Sequence, residues 1–161
     1  MAQTPPPGPH GSPLDGDPLD AIVTLFDEPE FMKPRPARPF DMPDGTVFVA
    51  VIAASGRPLL AARSDISLFP LHLIPIRGED VEAIAREALL HGHADWRVPT
   101  PDELALLFER RTRLGLFDAH WYWSSAADGA RRGAMRFSDG LYHPDYLKRA
   151  PARLRLVRTA S

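Results

Sequence analysis

The order of periodicities along the chain predicts an α+β domain with two helices and a small twisted antiparallel sheet, preceded by a proline-rich tail. Three observations carry this. Residues 1–43 hold eleven of the eighteen prolines, too many for a helix or sheet to run through. Residues 79–91 and 100–113 repeat apolar positions at helical spacing. The remaining C-terminal segments are short, strand-like and punctuated by Asp-Gly turns.

Within the tail, Asp17-Pro18 reads as an N-cap with proline at the first helical position. Leu19, Ile22, Val23 and Phe26 then share one face, so 18–27 is a candidate docking helix. A segment this short is not stable alone and needs its own domain or a partner's groove. The domain is expected over 44–161. Residues 46–53 are rich in β-branched residues, and Ser55-Gly56-Arg57-Pro58 turns the chain into Leu59 and Leu60, which predicts a first hairpin. Residues 65–75 are apolar but interrupted by Pro70 and Pro75, and read as a packed loop or short strand.

The first helix is expected over 79–91, with Val81, Ile84, Ala85, Ala88 and Leu89 on its apolar face and Gly92 as its stop. The second has a stronger start. Thr100 is an N-cap, Pro101 comes next, and Glu103 completes a Thr-x-x-Glu capping box. Leu104, Leu107 and Phe108 form its buried stripe, and Gly115 ends it. Strands are expected at 121–125, 134–137, 141–143 and 153–158, with turns at Asp128-Gly129 and Asp139-Gly140.

Composition narrows the chemistry. There is no cysteine, hence no disulfide framework, thiolate metal site or cysteine nucleophile. No apolar stretch approaches the length of a membrane span, and residues 1–10 lack a basic start and apolar run, so neither membrane insertion nor a secretory signal is expected and synthesis is cytoplasmic. The net charge of -2 conceals an asymmetry: residues 1–43 carry seven acids and three bases, and residues 129–161 carry eight bases against Asp139 and Asp145.

His91-Gly-His-Ala-Asp-Trp-Arg-Val-Pro-Thr100, then Tyr122-Trp-Ser-Ser125, Phe137-Ser-Asp-Gly140 and Val157-Arg158, appear in an order that resembles the C-type-lectin-like domain named after the C-terminal region of the Legionella collagen-like protein. The resemblance covers roughly 44–158. It implies a C-type-lectin-like fold with paired terminal strands, in which Trp96 and Trp123 enter the core, Trp121 shares their face and Tyr122 points outward unless a bulge intervenes. The formylglycine-generating enzymes carry a similar turn, but they act through cysteines that this chain lacks. The Glu-Pro-Asn and Trp-Asn-Asp motifs of calcium-dependent lectins are absent, as is asparagine altogether.

The resemblance therefore implies a non-enzymatic, calcium-independent binding or display module without a cofactor, of the kind found in bacteria, phages and prophages. Its C-terminal loops and strands would recognise a protein or acidic glycan, using Trp121, Tyr122, Arg131, Arg132, Arg136, Tyr142, His143, Tyr146 and Arg149, which combine guanidinium forks with aromatic faces. A nucleic-acid partner is not expected, and a homo-oligomer stays open. Two alternatives remain. One is a structural or assembly subunit of a phage-like particle. The more remote one is a metal-dependent hydrolase built on His91, His93 and Asp95, whose spacing suits zinc but whose ligand set is incomplete, since Trp96 stands where a further histidine belongs.

Overall fold

A computed structural model describes residues 38–67 and 75–161. The candidate helix at 18–27, with Leu19, Ile22, Val23 and Phe26, lies outside the described residues, as do 68–74 of the expected loop. Strands β1 (Val47–Val51), β2 (Pro58–Ala61) and β3 (Ile76–Arg77) precede helices α1 (Val81–Glu87) and α2 (Pro101–Leu114). Then come β4 (Trp121–Asp128), β5 (Arg131–Arg136), β6 (Tyr142–Leu147), β7 (Pro151–Ala152) and β8 (Val157–Thr159). The class is α+β, as the periodicities predict, but the strands form three small antiparallel sheets, β1-β2-β8, β3-β7 and β4-β5-β6.

The expected pairing of first and last strands is corrected. β8 pairs with β2, not β1. The hairpin puts β2 in the centre, and the other edge of β1 is taken by the chain just before it, through Phe48 N–H to Phe40 O and Met42 N–H to Thr46 O, both 2.9 Å. Residues from Arg38 onward belong to the same compact unit as the strands and helices. Arg38 donates to Leu114 O at 2.6 Å, and Phe40 packs on the core.

α1 is shorter than its apolar repeat suggests. Ala88 is already extended, and Leu90 and His93 exchange backbone hydrogen bonds in a tight turn. That turn presents Leu90 O to the buried Trp96 indole N–H at 3.1 Å, so tertiary packing ends the helix before its periodicity does. α2 obeys its signals closely: Thr100 and Glu103 form the full capping box, and Gly115, at φ 60°, provides the left-handed C-terminal residue. Leu104, Leu107 and Leu114 are buried, while Phe108 is only partly so.

Two apolar clusters result. One joins β1, β2 and α2 to Tyr122, Met135 and Phe137, and the other gathers Trp96, Trp123, Ala134, Leu154 and Leu156. The first half of β4 lies between them, so both of its faces are covered. This is the central fact for the site.

Candidate functional site

Along β4, alternate side chains enter opposite clusters. Trp123 is fully buried, and its indole N–H donates to Ile76 O at 2.6 Å. Trp121 shares that face and stays half-buried at its edge, as alternation predicts. Tyr122 does not point outward. It is fully buried on the opposite face, packed 4.5 Å from Phe137 and 5.6 Å from Phe117, so it is removed from the candidate ligand-binding residues. The expectation assumed one solvated face for this strand, and α2 with the first sheet covers it instead.

Arg132 is also removed. It is buried, donating to Gly78 O at 3.0 Å, Ser124 O at 2.9 Å and Glu82 at 3.0 Å. It ties the chain before α1 to the sheet. Tyr142 leans on the first cluster, with its hydroxyl 3.3 Å from Ser124 Oγ, and Gly133 makes room for both oxygens: a Cβ there would land on the Tyr142 hydroxyl and 2.5 Å from Ser124 Oγ. Arg136 is occupied by Asp139, which holds that carboxyl down at about 2, chiefly by hydrogen bonding.

Trp121, His143, Tyr146, Arg131 and Arg149 remain at the surface. Tyr146 stacks on Trp121 with centroids 4.8 Å apart and planes 27° apart, and His143 meets both rings edge-on at 6.4 and 6.0 Å. Beside them is a shallow cavity of about 210 Å³ lined by Arg131, His143, Asp145, Tyr146, Leu147 and Ala150. A second, of about 200 Å³, runs from Trp121 and His120 to Pro151 and Arg153. Arg149 and Lys148 line a third, of about 430 Å³, at the Gly129 turn.

β6 is the edge of its sheet, yet its backbone is largely closed to an added strand. Pro144 has no N–H, Asp145 N–H donates to His143 Nδ1 at 3.2 Å, Asp145 O accepts from Arg131 at 3.0 Å, and Leu147 O accepts from Ala150 N–H. This arrangement favours contact with a ligand through side chains over strand addition.

The histidine motif does not converge. His93 Nε2 lies 2.8 Å from Asp44, Asp95 takes a two-pronged contact from Arg158 at 2.8 and 3.1 Å, and His91 leans on Trp96. Hydrogen bonds from Thr46, then from His93, hold the Asp44 carboxyl well below its usual range, and Arg158 does the same for Asp95. Among the described residues, no group of three or more His, Asp or Glu side chains is placed to hold a metal ion.

Sequence reasoning missed a charged network behind the aromatic face. Asp65 accepts from Arg155 Nε at 2.7 Å, and from Arg153 and the Tyr122 hydroxyl at 3.1 Å each. Arg155 is buried and also donates to the carbonyls of Ala62, Arg63 and Leu116. Burial, and then the Asp65 charge, push the Tyr122 phenol far above its ordinary range, so it stays neutral and donates. The signal available was two arginines at i and i+2 in the apolar stretch between β7 and β8, but their partner lies some ninety residues earlier in the chain.

No protein-family model matches this chain, and no curated protein matches it in sequence. Among the described residues, no helix is long and apolar enough to cross a membrane.

Proposed function

We propose that residues 38–161 form a non-enzymatic, C-type-lectin-like binding module that recognises a protein or acidic glycan through side chains of the β4-β5-β6 face. The observation that carries the reading is the half-exposed Trp121–Tyr146 stack, with His143 against it and Arg131 beside a shallow cavity. Rigid aromatic faces give contact area at low entropic cost, and a guanidinium fork supplies orientation. The edge backbone of β6 is largely occupied, which favours recognition through side chains. The motif order around Trp96, Thr100 and Trp123 supports the fold-family part of the reading.

The test is calorimetry of the full chain against a panel of acidic glycans and acidic peptides, and then of Tyr146→Ala and Arg131→Ala variants. A ligand of one class should bind. Each variant should weaken it about tenfold or more while remaining folded, with Tyr146→Ala melting somewhat earlier because it also removes packing against Trp123. Undiminished binding in both variants would place recognition elsewhere.

A further inference from the structure

We propose that the aromatic face takes a proline-rich peptide segment in the polyproline II conformation, held by hydrogen bonds from Trp121 and Tyr146 to its carbonyl groups. This rests on the β4-β5-β6 face being the recognition surface, and it names the ligand class for that face. The three indoles differ in how they use their N–H groups. Trp96 and Trp123 donate inside the domain, to Leu90 O and Ile76 O. The Trp121 N–H and the Tyr146 hydroxyl have no hydrogen-bond partner among the described residues. Neither is sealed from solvent, since Arg110 Nε is the one shielded side-chain nitrogen or oxygen left unpaired among those residues. Each therefore offers an open donor beside a rigid ring.

The neighbouring polar groups are donors too. His143 Nδ1 accepts from Asp145 N–H, which leaves the proton of the neutral imidazole on Nε2. Arg131 uses Nη1 on Asp145 O and keeps the rest of its fork. Among the described residues, Asp145 is the one acid lining the two cavities that Trp121 and Tyr146 border. Such a face suits a ligand that brings acceptors and few donors. A run of prolines meets that condition: each residue has a carbonyl and no N–H, and the polyproline II helix leaves every carbonyl without an internal partner. A sugar brings a donor with every hydroxyl. An extended strand needs its N–H groups matched by an edge backbone, and that of β6 is largely occupied.

Shape agrees with the hydrogen-bonding pattern. Tyr146 stacks on Trp121, and Arg136, tied to Asp139, lies 5.5 Å over the Trp121 ring, so the indole is fixed before a ligand arrives. Trp121 lines the cavity of about 200 Å³ together with Pro75, Pro151 and Ala152. Tyr146 lines that of about 210 Å³ with Leu147 and Ala150. Each ring thus borders a shallow, largely apolar recess that accepts a pyrrolidine ring. The ligand's conformation is set in advance, so docking costs it little entropy.

The test titrates a labelled oligoproline peptide of about ten residues into the full chain, with a glycine-serine peptide of equal length as control. Oligoproline should bind saturably and with little dependence on salt, and should shift the Trp121 indole N–H resonance more than those of Trp96 and Trp123. Trp121→Phe/Tyr146→Phe keeps both rings, removes both donors and should weaken binding about tenfold. If the double variant melts early, Tyr146→Phe alone, which leaves the stack in place, replaces it and should still weaken binding about threefold. No binding beyond the glycine-serine control, or parent-like affinity in these variants, overturns the proposal. An acidic glycan or acidic peptide that binds where oligoproline does not, and is weakened by Tyr146→Ala, keeps the aromatic face as the recognition surface and overturns only its proline-rich ligand. Any ligand, oligoproline included, that binds undiminished in both Tyr146→Ala and Arg131→Ala overturns the two together.

Discussion

Replacing Asp65 with Asn tests whether the buried charges behind the aromatic face hold the domain together. The change preserves shape and removes one negative charge. Arg155, only 2 % exposed, then keeps its positive charge without a counter-charge, and the new amide N–H group must face either a guanidinium or the Tyr122 hydroxyl. Removing one partner of a buried ion pair costs roughly 3–5 kcal/mol. Arg155 retains three carbonyl acceptors, at Ala62, Arg63 and Leu116. These keep part of its solvation and put the expected loss near the lower end, about 3 kcal/mol. Asp95→Asn is the matched control. Its contact with Arg158 is as well formed and Arg158 is itself largely buried, but the carboxylate is 53 % exposed and water can replace it on the guanidinium, so the expected cost is smaller, about 1 kcal/mol. Urea unfolding of the two variants and the parent, monitored by far-ultraviolet circular dichroism, gives the comparison. Equal losses in the two variants, or a loss below about 1 kcal/mol for Asp65→Asn, would refute the assignment of a structural role to burial of this network.

Trp123→Ala should cost roughly 3–5 kcal/mol, since it opens a cavity in the second cluster and strands Ile76 O, whereas Thr100→Ala should cost about 1 kcal/mol for one lost cap; a neutral Trp123→Ala in urea melts would contradict its burial. Gly133→Ala should destabilise by about 1–3 kcal/mol through overpacking, and adding Tyr142→Phe should restore part of this by removing the hydroxyl in the way; no recovery in the double variant would locate the clash elsewhere. Stability should fall in acid. Burial works against Glu103, but hydrogen bonds from Arg97 and the capped Thr100 outweigh it, and hydrogen bonds also lower Asp41, Asp44 and Asp95. Each folded-state value lies below its unfolded one, so the contribution is complete above roughly pH 4–5 and is lost as pH drops through the folded values. Thermal melts from pH 5 down to pH 2 should show this, with a shallower decline in Glu103→Gln; a stability that rises on acidification would reverse the sign of the argument.

Local chemistry made α2 readable from the chain alone. Its cap, its capping box, its proline, its buried leucines and its terminal glycine all act within one turn of the residues that encode them. The β4-β5 and β5-β6 hairpins were legible for the same reason, from Asp128-Gly129 and Asp139-Gly140. The α+β class came from periodicity. Side-chain alternation also placed Trp121 and Trp123 correctly on one face. Alternation specifies which residues share a face, but not what covers that face. Only the packing of α2 and the first sheet decided that Tyr122 is core and not ligand surface, and only the loop before α1 decided that Arg132 is a structural tie. The stop of α1 at Glu87, the pairing of β8 with β2 and the joining of Asp65 to Arg153 and Arg155 likewise depend on groups brought together across long stretches of chain. Such contacts are set by which surfaces exclude water together, a property of the folded arrangement that no local pattern encodes.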